Sequence, residues 1–184
     1  SDAATYDDYF GWSVAIDGNT IVVGAYDDAP GGSVYVFRTS DGGTTYGQVA
    51  KLTAADARGW YSFGRSVAIA GATIVVGSGG GEAAYVFHTS DGGATYVDLS
   101  KLMADDRGDR RSLQAVSAGE FFGYSVAIDG NTVVVGAYGD DDAGSKSGSA
   151  YVFRTTDGGA TYGQVAKLTA ADAAADDDFG YSVA

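Results

Sequence analysis

The sequence predicts an all-β fold made of β-propeller blades, each a four-stranded antiparallel sheet, with three full repeats and the start of a fourth. The motif Phe-Gly-x-Ser-Val-Ala begins at Phe10, Phe63, Phe122 and Phe179, so the repeat is about 55 residues long. Short β-branched runs alternate with turns rich in Asp and Gly, and 29 Gly beside only two Glu argue against helices. Four strands in a repeat of this length are typical of a propeller blade. The alternatives are a β-solenoid, whose repeats are usually shorter, and a stack of sandwiches.

The first unit shows how the four strands of a blade follow from the residues. The predicted strands are residues 13–16, 20–25, 33–38 and 46–52. Tight turns are indicated at Asp17-Gly18-Asn19 and at Asp41-Gly42-Gly43, because Asp, Asn and Gly adopt turn conformations readily. The unbroken run Ile21-Val22-Val23 predicts that the second strand is buried on both faces.

The repeats divide the chain into three blades, which are residues 10–62, 63–121 and 122–178. We interpret residues 1–9 as the end of a preceding linker and residues 179–184 as the first strand of a fourth blade, so the sequence indicates a piece of a longer array. Residues 78–82 of the second unit replace the acidic loop that the other two units carry between their second and third strands. Because this unit keeps the blade pattern, we expect the acidic loop to be dispensable for folding.

Composition excludes several classes of function. The chain has 11 basic and 24 acidic residues, for a net charge of −13. This charge disfavours binding to nucleic acid or to an anionic membrane surface. The chain has no Cys and one His, so disulfides, thiolate chemistry and multi-histidine metal sites are ruled out. No apolar run approaches the length of a membrane span. No set of catalytic residues is indicated, and we predict that the protein is not an enzyme.

Three segments of the first unit resemble an FG-GAP repeat: residues 10–15 (Phe-Gly-Trp-Ser-Val-Ala), 23–25 (Val-Gly-Ala) and 32–37 (Gly-Ser-Val-Tyr-Val-Phe). Residues 122–127, 135–137 and 148–153 of the third unit resemble it equally. This repeat builds the head propeller of integrin α-subunits and occurs in many secreted microbial proteins. The resemblance implies a propeller, commonly of seven blades, on an extracellular or cell-surface protein that binds partners rather than turning over substrates.

Two departures from the family pattern bear on the sites. Tyr26 and Tyr138 stand where the proline of the GAP motif is expected. Many family members carry a calcium loop between the first two strands, but here that segment is only residues 16–20, with a single carboxylate. Calcium prefers six to eight oxygen ligands, so we expect the usual family site to be absent and predict no cofactor beyond a possible Ca²⁺ elsewhere.

Most of the acidic residues are predicted to lie on one rim. In an up-and-down blade, the loops between strands two and three share a rim with the linkers between blades, and we call it the acidic rim. Its clustered carboxylates make Asp27, Asp28, Asp140, Asp141 and Asp142 the candidate metal ligands. The same charge would attract a basic protein partner, since binding loops often cluster on one rim of a scaffold. The alternative is a solvated fringe that keeps the protein soluble.

Three further sets of residues stand out in the sequence. Arg107-Gly108-Asp109 is an integrin-binding triplet and a candidate partner site, or a chance occurrence in a charged linker. His88 is predicted to be a surface histidine. Aromatic side chains at fixed blade positions are predicted to form the core or the blade interfaces: Phe10, Trp12, Tyr35, Phe37, Phe63, Tyr85, Phe87, Phe122, Tyr151 and Phe153.

Three hypotheses for the function remain open. The first is an extracellular propeller segment for adhesion, protein binding or surface assembly. The second is a structural repeat of an extracellular filament or cell-surface coat, and the third is a non-catalytic propeller attached to a secreted hydrolase. Under all three, three blades leave open sheet edges, so we expect the segment to join further blades of the same or another chain.

Overall fold

The computed structural model describes residues 8–105 and 119–184, and these residues form twelve β-strands. The strands are β1 Phe10–Asp17, β2 Thr20–Ala25, β3 Ser33–Arg38, β4 Gly47–Leu52, β5 Phe63–Ala70, β6 Thr73–Ser78, β7 Ala83–His88, β8 Val97–Leu102, β9 Ser125–Asp129, β10 Thr132–Ala137, β11 Ser149–Arg154 and β12 Gly163–Leu168. A single 3-10 turn, Gly79–Gly81, follows β6. Within the described ranges, no helix has the length and apolar character needed to cross a bilayer.

The strands form three four-stranded antiparallel sheets in chain order, β1–β4, β5–β8 and β9–β12. This confirms the predicted all-β class and the four-stranded units. In the first sheet, β2 and β3 have the predicted bounds, while β1 begins earlier than expected. The reason is a bulge: Phe10 pairs with Ala25 before the regular register resumes at Ser13.

Each blade has an aromatic cluster built from the phenylalanine of the repeated motif and two side chains of its third strand. Phe63 meets the rings of Tyr85 and Phe87 edge to face, at centroid distances of 5.4 and 6.0 Å. All three side chains are buried, as predicted. The third blade repeats this arrangement with Phe122, Tyr151 and Phe153. Aromatic pairs of this geometry are among the stronger apolar contacts of a core.

The repeated motif forms the junctions between neighbouring blades. Each motif serine donates a hydrogen bond to the carbonyl oxygen of the motif glycine in the following unit: Ser13 to Gly64 (2.8 Å), Ser66 to Gly123 (3.4 Å) and Ser125 to Gly180 (2.8 Å). At the second junction, a Cβ on Gly77 would overlap the same Gly123 carbonyl oxygen. Gly77 of β6 and the motif glycine Gly123 therefore allow two backbones to approach closely.

The turns between third and fourth strands are stabilised by their aspartate. In the first blade, the amide and hydroxyl of Thr45 donate to the Asp41 carboxylate at 2.9 and 2.6 Å, and the Thr39 hydroxyl donates at 2.7 Å. These hydrogen bonds favour the ionised form and hold the pKa of Asp41 well below its usual range. Asp91 and Asp157 have the same arrangement in the other two blades.

Residues 179–184 are not paired as a β-strand, and their assignment to the first strand of a fourth blade stays a prediction. Phe179 makes one isolated parallel bridge to Gly148, and Ser125 bonds the Gly180 carbonyl as at the other junctions. The segment thus takes the place of a following blade's motif, but no described residue pairs with it as a second strand.

The two ends of the array expose apolar faces that are buried between blades. Phe10 is 58% exposed, whereas its counterparts Phe63 and Phe122 are fully buried. At the other end Leu168 is 44% exposed, whereas Leu52 is 5% exposed. Both ends therefore resemble an inter-blade junction that lacks its partner.

Candidate partner-binding rim

The acidic rim contains the β2–β3 loop of each blade and the linkers from one blade to the next. In the first blade, Asp28 of this loop is buried rather than solvated. The hydroxyl of Tyr35 donates to its carboxylate at 2.7 Å, and Lys51 Nζ lies 2.9 Å from the same oxygen. Tyr35 and Lys51 are direct cross-strand partners on β3 and β4. We call this Asp–Tyr–Lys arrangement the rim triad.

The third blade repeats the rim triad at lower exposure. Asp140 is 2% exposed, accepts a hydrogen bond from Tyr151 at 2.9 Å and lies 2.8 Å from Lys167 Nζ. Lys167 also forms an ion pair with Asp142 at 2.5 Å. The alternative of a solvated fringe does not describe Asp140, because the fold buries it beside a lysine from the fourth strand.

The second blade builds the triad with an acid from a different loop. The loop between β6 and β7 has no Asp. Instead, Asp56 of the preceding linker lies beside the tyrosine and the lysine of this blade. Tyr85 donates to Asp56 at 2.7 Å, and Lys101 donates to it at 2.5 Å. In the second blade, a carboxylate from another segment thus does what the acidic loop does in the other two. The lack of that loop here therefore does not show that the buried Asp of the other loops is dispensable for folding.

The pKa values of the triad acids reflect two opposing effects. Burial raises the pKa of Asp140, but the hydrogen bond and charge of Lys167 and the hydrogen bond from Tyr151 outweigh it, so the pKa is lowered. The pKa of Asp28 is lowered for the same reasons, because Lys51 and Tyr35 hydrogen-bond to its carboxylate and outweigh its burial. Since these acids are ionised and paired at neutral pH, the rim has less uncompensated negative charge than the sequence alone indicates.

The candidate metal ligands are not gathered around a common point. Asp27 and Asp141 are exposed, while Asp28, Asp140 and Asp142 are engaged with lysines. Across residues 8–105 and 119–184, no group of three acidic or histidine side chains is placed to hold a metal ion. Calcium binding at these acids stays a prediction. The triplet Arg107-Gly108-Asp109 lies outside the described residues.

An aromatic row on the inner side of the acidic rim was missed by the sequence analysis. The residue after Phe-Gly in each motif occupies the same place in successive units, namely Trp12, Arg65, Tyr124 and Tyr181. The Arg65 guanidinium lies 4.2 Å from the Tyr124 ring centroid and 5.4 Å from that of Trp12, and it donates to the Tyr124 hydroxyl at 2.6 Å. Tyr124 in turn donates to the Tyr181 hydroxyl at 2.9 Å.

The two tyrosines that replace the GAP proline extend this row. Tyr26 stacks on Tyr9 at 5.0 Å, and Tyr138 stacks on Phe121 at 4.8 Å. We define the aromatic row by the following side chains: Tyr9, Trp12, Tyr26, Arg65, Phe121, Tyr124, Tyr138 and Tyr181. The comparison of repeats could have revealed it, since an aromatic or arginine recurs after every Phe-Gly.

The aromatic row is accessible to solvent at its two ends and half-buried between them. Trp12 is 52% exposed and Tyr181 is 53% exposed. Trp12, predicted to lie in the core or at a blade interface, is outside the core because the bulge at Phe10–Ser13 directs this position to the rim, where its ring contacts Arg65 of the next blade. A row of half-buried rings with exposed rings at both ends, next to an acidic fringe, forms a surface suited to contact with another protein.

Comparisons with known proteins support the fold and the repeat. A model of the FG-GAP repeat matches residues 1–37, 46–98, 114–153 and 162–184. The crystal structure of Saccharomyces cerevisiae Sqt1 is similar with a TM-score of 0.55 and 11% identity, over 90% of this chain and 36% of that one. A europium-containing methanol dehydrogenase is similar with a TM-score of 0.54 and 12% identity, over 91% of this chain and 26% of that one. Both are β-propellers, so they show the fold alone, and this chain spans well under half of either. The sequence matches none of the curated proteins.

Proposed function

Because the chain belongs to the FG-GAP repeat family, we propose that it is a segment of a non-enzymatic extracellular β-propeller that binds a protein partner in adhesion or surface assembly. The repeat fold itself is suited to protein interaction or a structural role. The contact surface in this proposal is the aromatic row of the acidic rim. The family supports the extracellular or cell-surface location, where such repeats typically occur.

The observation that carries this proposal is the continuity of the aromatic row across all three blades. Trp and Tyr supply large rigid contact area and dominate the energetics of many interfaces, with Arg close behind. Here Arg65 lies between Trp12 and Tyr124 and links the first blade to the third. The surrounding exposed acids, such as Asp27 and Asp141, would favour encounter with a partner that has basic groups.

We expect loss of the exposed rings to weaken partner binding by at least about tenfold each, the effect typical of a central aromatic contact. The variants are Trp12→Ala and Tyr181→Ala. A protein is first captured on the immobilised chain from the source cells' surface fraction and purified, and its affinity for each variant is then measured by surface plasmon resonance.

Tyr46→Ala is the matched control, since Tyr46 is also exposed but lies on the opposite rim. This variant should bind as the parent does. Equal affinity of the parent and the two row variants, with the partner still bound, would place the contact elsewhere and contradict the proposal.

A structural role in a filament or coat is the second candidate. The exposed faces at the two ends of the array favour it, because in the interior junctions the same positions are covered by a neighbouring blade. In that case the main contact would run through Phe10 and Leu168 rather than through the aromatic row.

A further inference from the structure

An open groove of about 350 Å³ separates the second and third blades on the rim opposite the aromatic row. One wall contains His88 and the edge residues Val97 and Leu99, and the other is the turn at residues 157–160. Nothing in the proposed function uses this groove. None of its lining residues is Lys or Arg.

The preceding junction contains the same groove in a filled form. Arg38 opposes Thr20 in the first blade, as His88 opposes Thr73 in the second, so the two residues occupy equivalent positions. The guanidinium of Arg38 lies directly against Gly93 of the next blade's turn, where any Cβ would overlap it. The repeat therefore shows which side chain fits between a third strand and the following turn.

The His88 side chain is too short to fill the space that Arg38 fills at the preceding junction. Gly159 is the counterpart of Gly93, and the nearest atom to a Cβ there is the Tyr162 hydroxyl, at 3.7 Å. The His88 ring instead contacts Thr73 of its own blade, at 3.3 Å from Nδ1 to Oγ1. The space that a guanidinium fills at the first junction is thus open at the second.

The walls of the open groove suit an arginine side chain. Val97 and Leu99 are exposed apolar residues that can cover its methylene stem and one face of the guanidinium plane. The turn across from them contains Asp157, whose carboxylate accepts hydrogen bonds from Thr161 at 2.9 and 2.6 Å. An acidic wall opposite an apolar wall favours a planar, weakly hydrated cation over the compact, strongly hydrated ammonium of lysine.

We propose that the groove between the second and third blades binds the guanidinium group of an arginine side chain from a protein partner, in the place that Arg38 takes at the preceding junction. The site lies on the rim opposite the aromatic row. Failure of either proposal would therefore leave the other unaffected.

The test uses blocked tripeptides and the whole chain. Acetyl-Gly-Arg-Gly-amide is titrated against ¹⁵N-labelled protein, and shifts are followed at the amides of Gly158 and Gly159. We expect saturable shifts there, and at least about tenfold weaker binding of the citrulline peptide, which keeps the shape but lacks the charge.

Two reciprocal variants separate the proposal from general charge attraction. His88→Arg should reduce binding at least about tenfold, because the new side chain fills the groove as Arg38 does. Arginine occurs at the same position in the third blade as Arg154, so the fold accommodates it. Arg38→His should open the first groove and add shifts at Gly92 and Gly93.

Three results would overturn the proposal. They are undiminished binding by the folded His88→Arg protein, binding of the citrulline peptide or of acetyl-Gly-Lys-Gly-amide as tight as that of the arginine peptide, and shifts that are confined to the acidic rim.

Discussion

Replacing Lys167 with Met is expected to lower the free energy of unfolding by about 3 kcal/mol near pH 7. The reason is that Asp140 is 2% exposed and would lose its cation while remaining buried. Tyr151 would still donate to it, but a neutral hydroxyl offsets only part of the cost of a buried charge. The measurement is chemical unfolding followed by tryptophan fluorescence.

The pH dependence identifies the cause of this loss. The folded-state pKa of Asp140 is lowered in the parent, so the parent loses this stabilisation as the pH falls through that value. In the variant the lowering effect of Lys167 is lost and only the hydrogen bonds from Tyr151 and the Asp142 amide oppose burial, so the pKa of Asp140 rises above its value in the parent and protonation at low pH relieves the penalty. The difference between the two proteins should therefore shrink as the pH falls toward about 4.

Lys101→Met is the matched control from the second blade. Its partner Asp56 has a side chain that is 46% exposed, so water can replace the lysine. We expect a loss of about 1 kcal/mol or less. Equal losses for the two variants, or a difference that does not change with pH, would show that the Lys167 effect comes from packing and not from the buried carboxylate.

Replacing Gly77 with Ala is expected to cost about 3 kcal/mol of unfolding free energy. The new Cβ would overlap the backbone carbonyl oxygen of Gly123 in the next blade, and backbone cannot move aside as a flexible side chain can. Relief would require the second and third blades to separate, which would also lengthen the Ser66 hydrogen bond to Gly123. The measurement is again chemical unfolding.

Gly47→Ala is the matched control, because Gly47 is also in a strand but has no atom within 4 Å of a Cβ. The change there should stay within about 0.5 kcal/mol. A Gly77→Ala protein as stable as the Gly47→Ala protein would contradict the close backbone approach at the junction.

The blades could be predicted from the sequence because their signals are local. Turn residues such as Asp41-Gly42-Gly43 and β-branched runs such as Ile21-Val22-Val23 act over a few residues, and the repeat multiplies each signal. The strands of the first unit were accordingly predicted nearly as observed. The exposure of Trp12 was not predicted, because it depends on a bulge that the alternation of residue types does not reveal.

The acidic rim shows why the site was predicted only in part. Counting charges along the chain assigned Asp28 and Asp140 to this rim but not their lysine partners, which lie on the fourth strands and come close only in the folded blade. The replacement of a loop acid by Asp56 is a clear case, since Asp56 is 29 residues from Tyr85 in sequence. The groove at His88 likewise depends on a junction between two blades, although the exchange of Arg38 for His88 is visible in the repeats.

The three blades are expected to form an open array whose end faces join further blades. Sedimentation equilibrium of the 184-residue chain tests it, and we expect a mass that rises with concentration to at least two copies of the 18.7 kDa chain. Val14→Asp, on the exposed face of β1 where the counterpart Val67 is 9% exposed, should shift the equilibrium back toward the single chain. A monodisperse 18.7 kDa species at every concentration, for parent and variant alike, would contradict the claim.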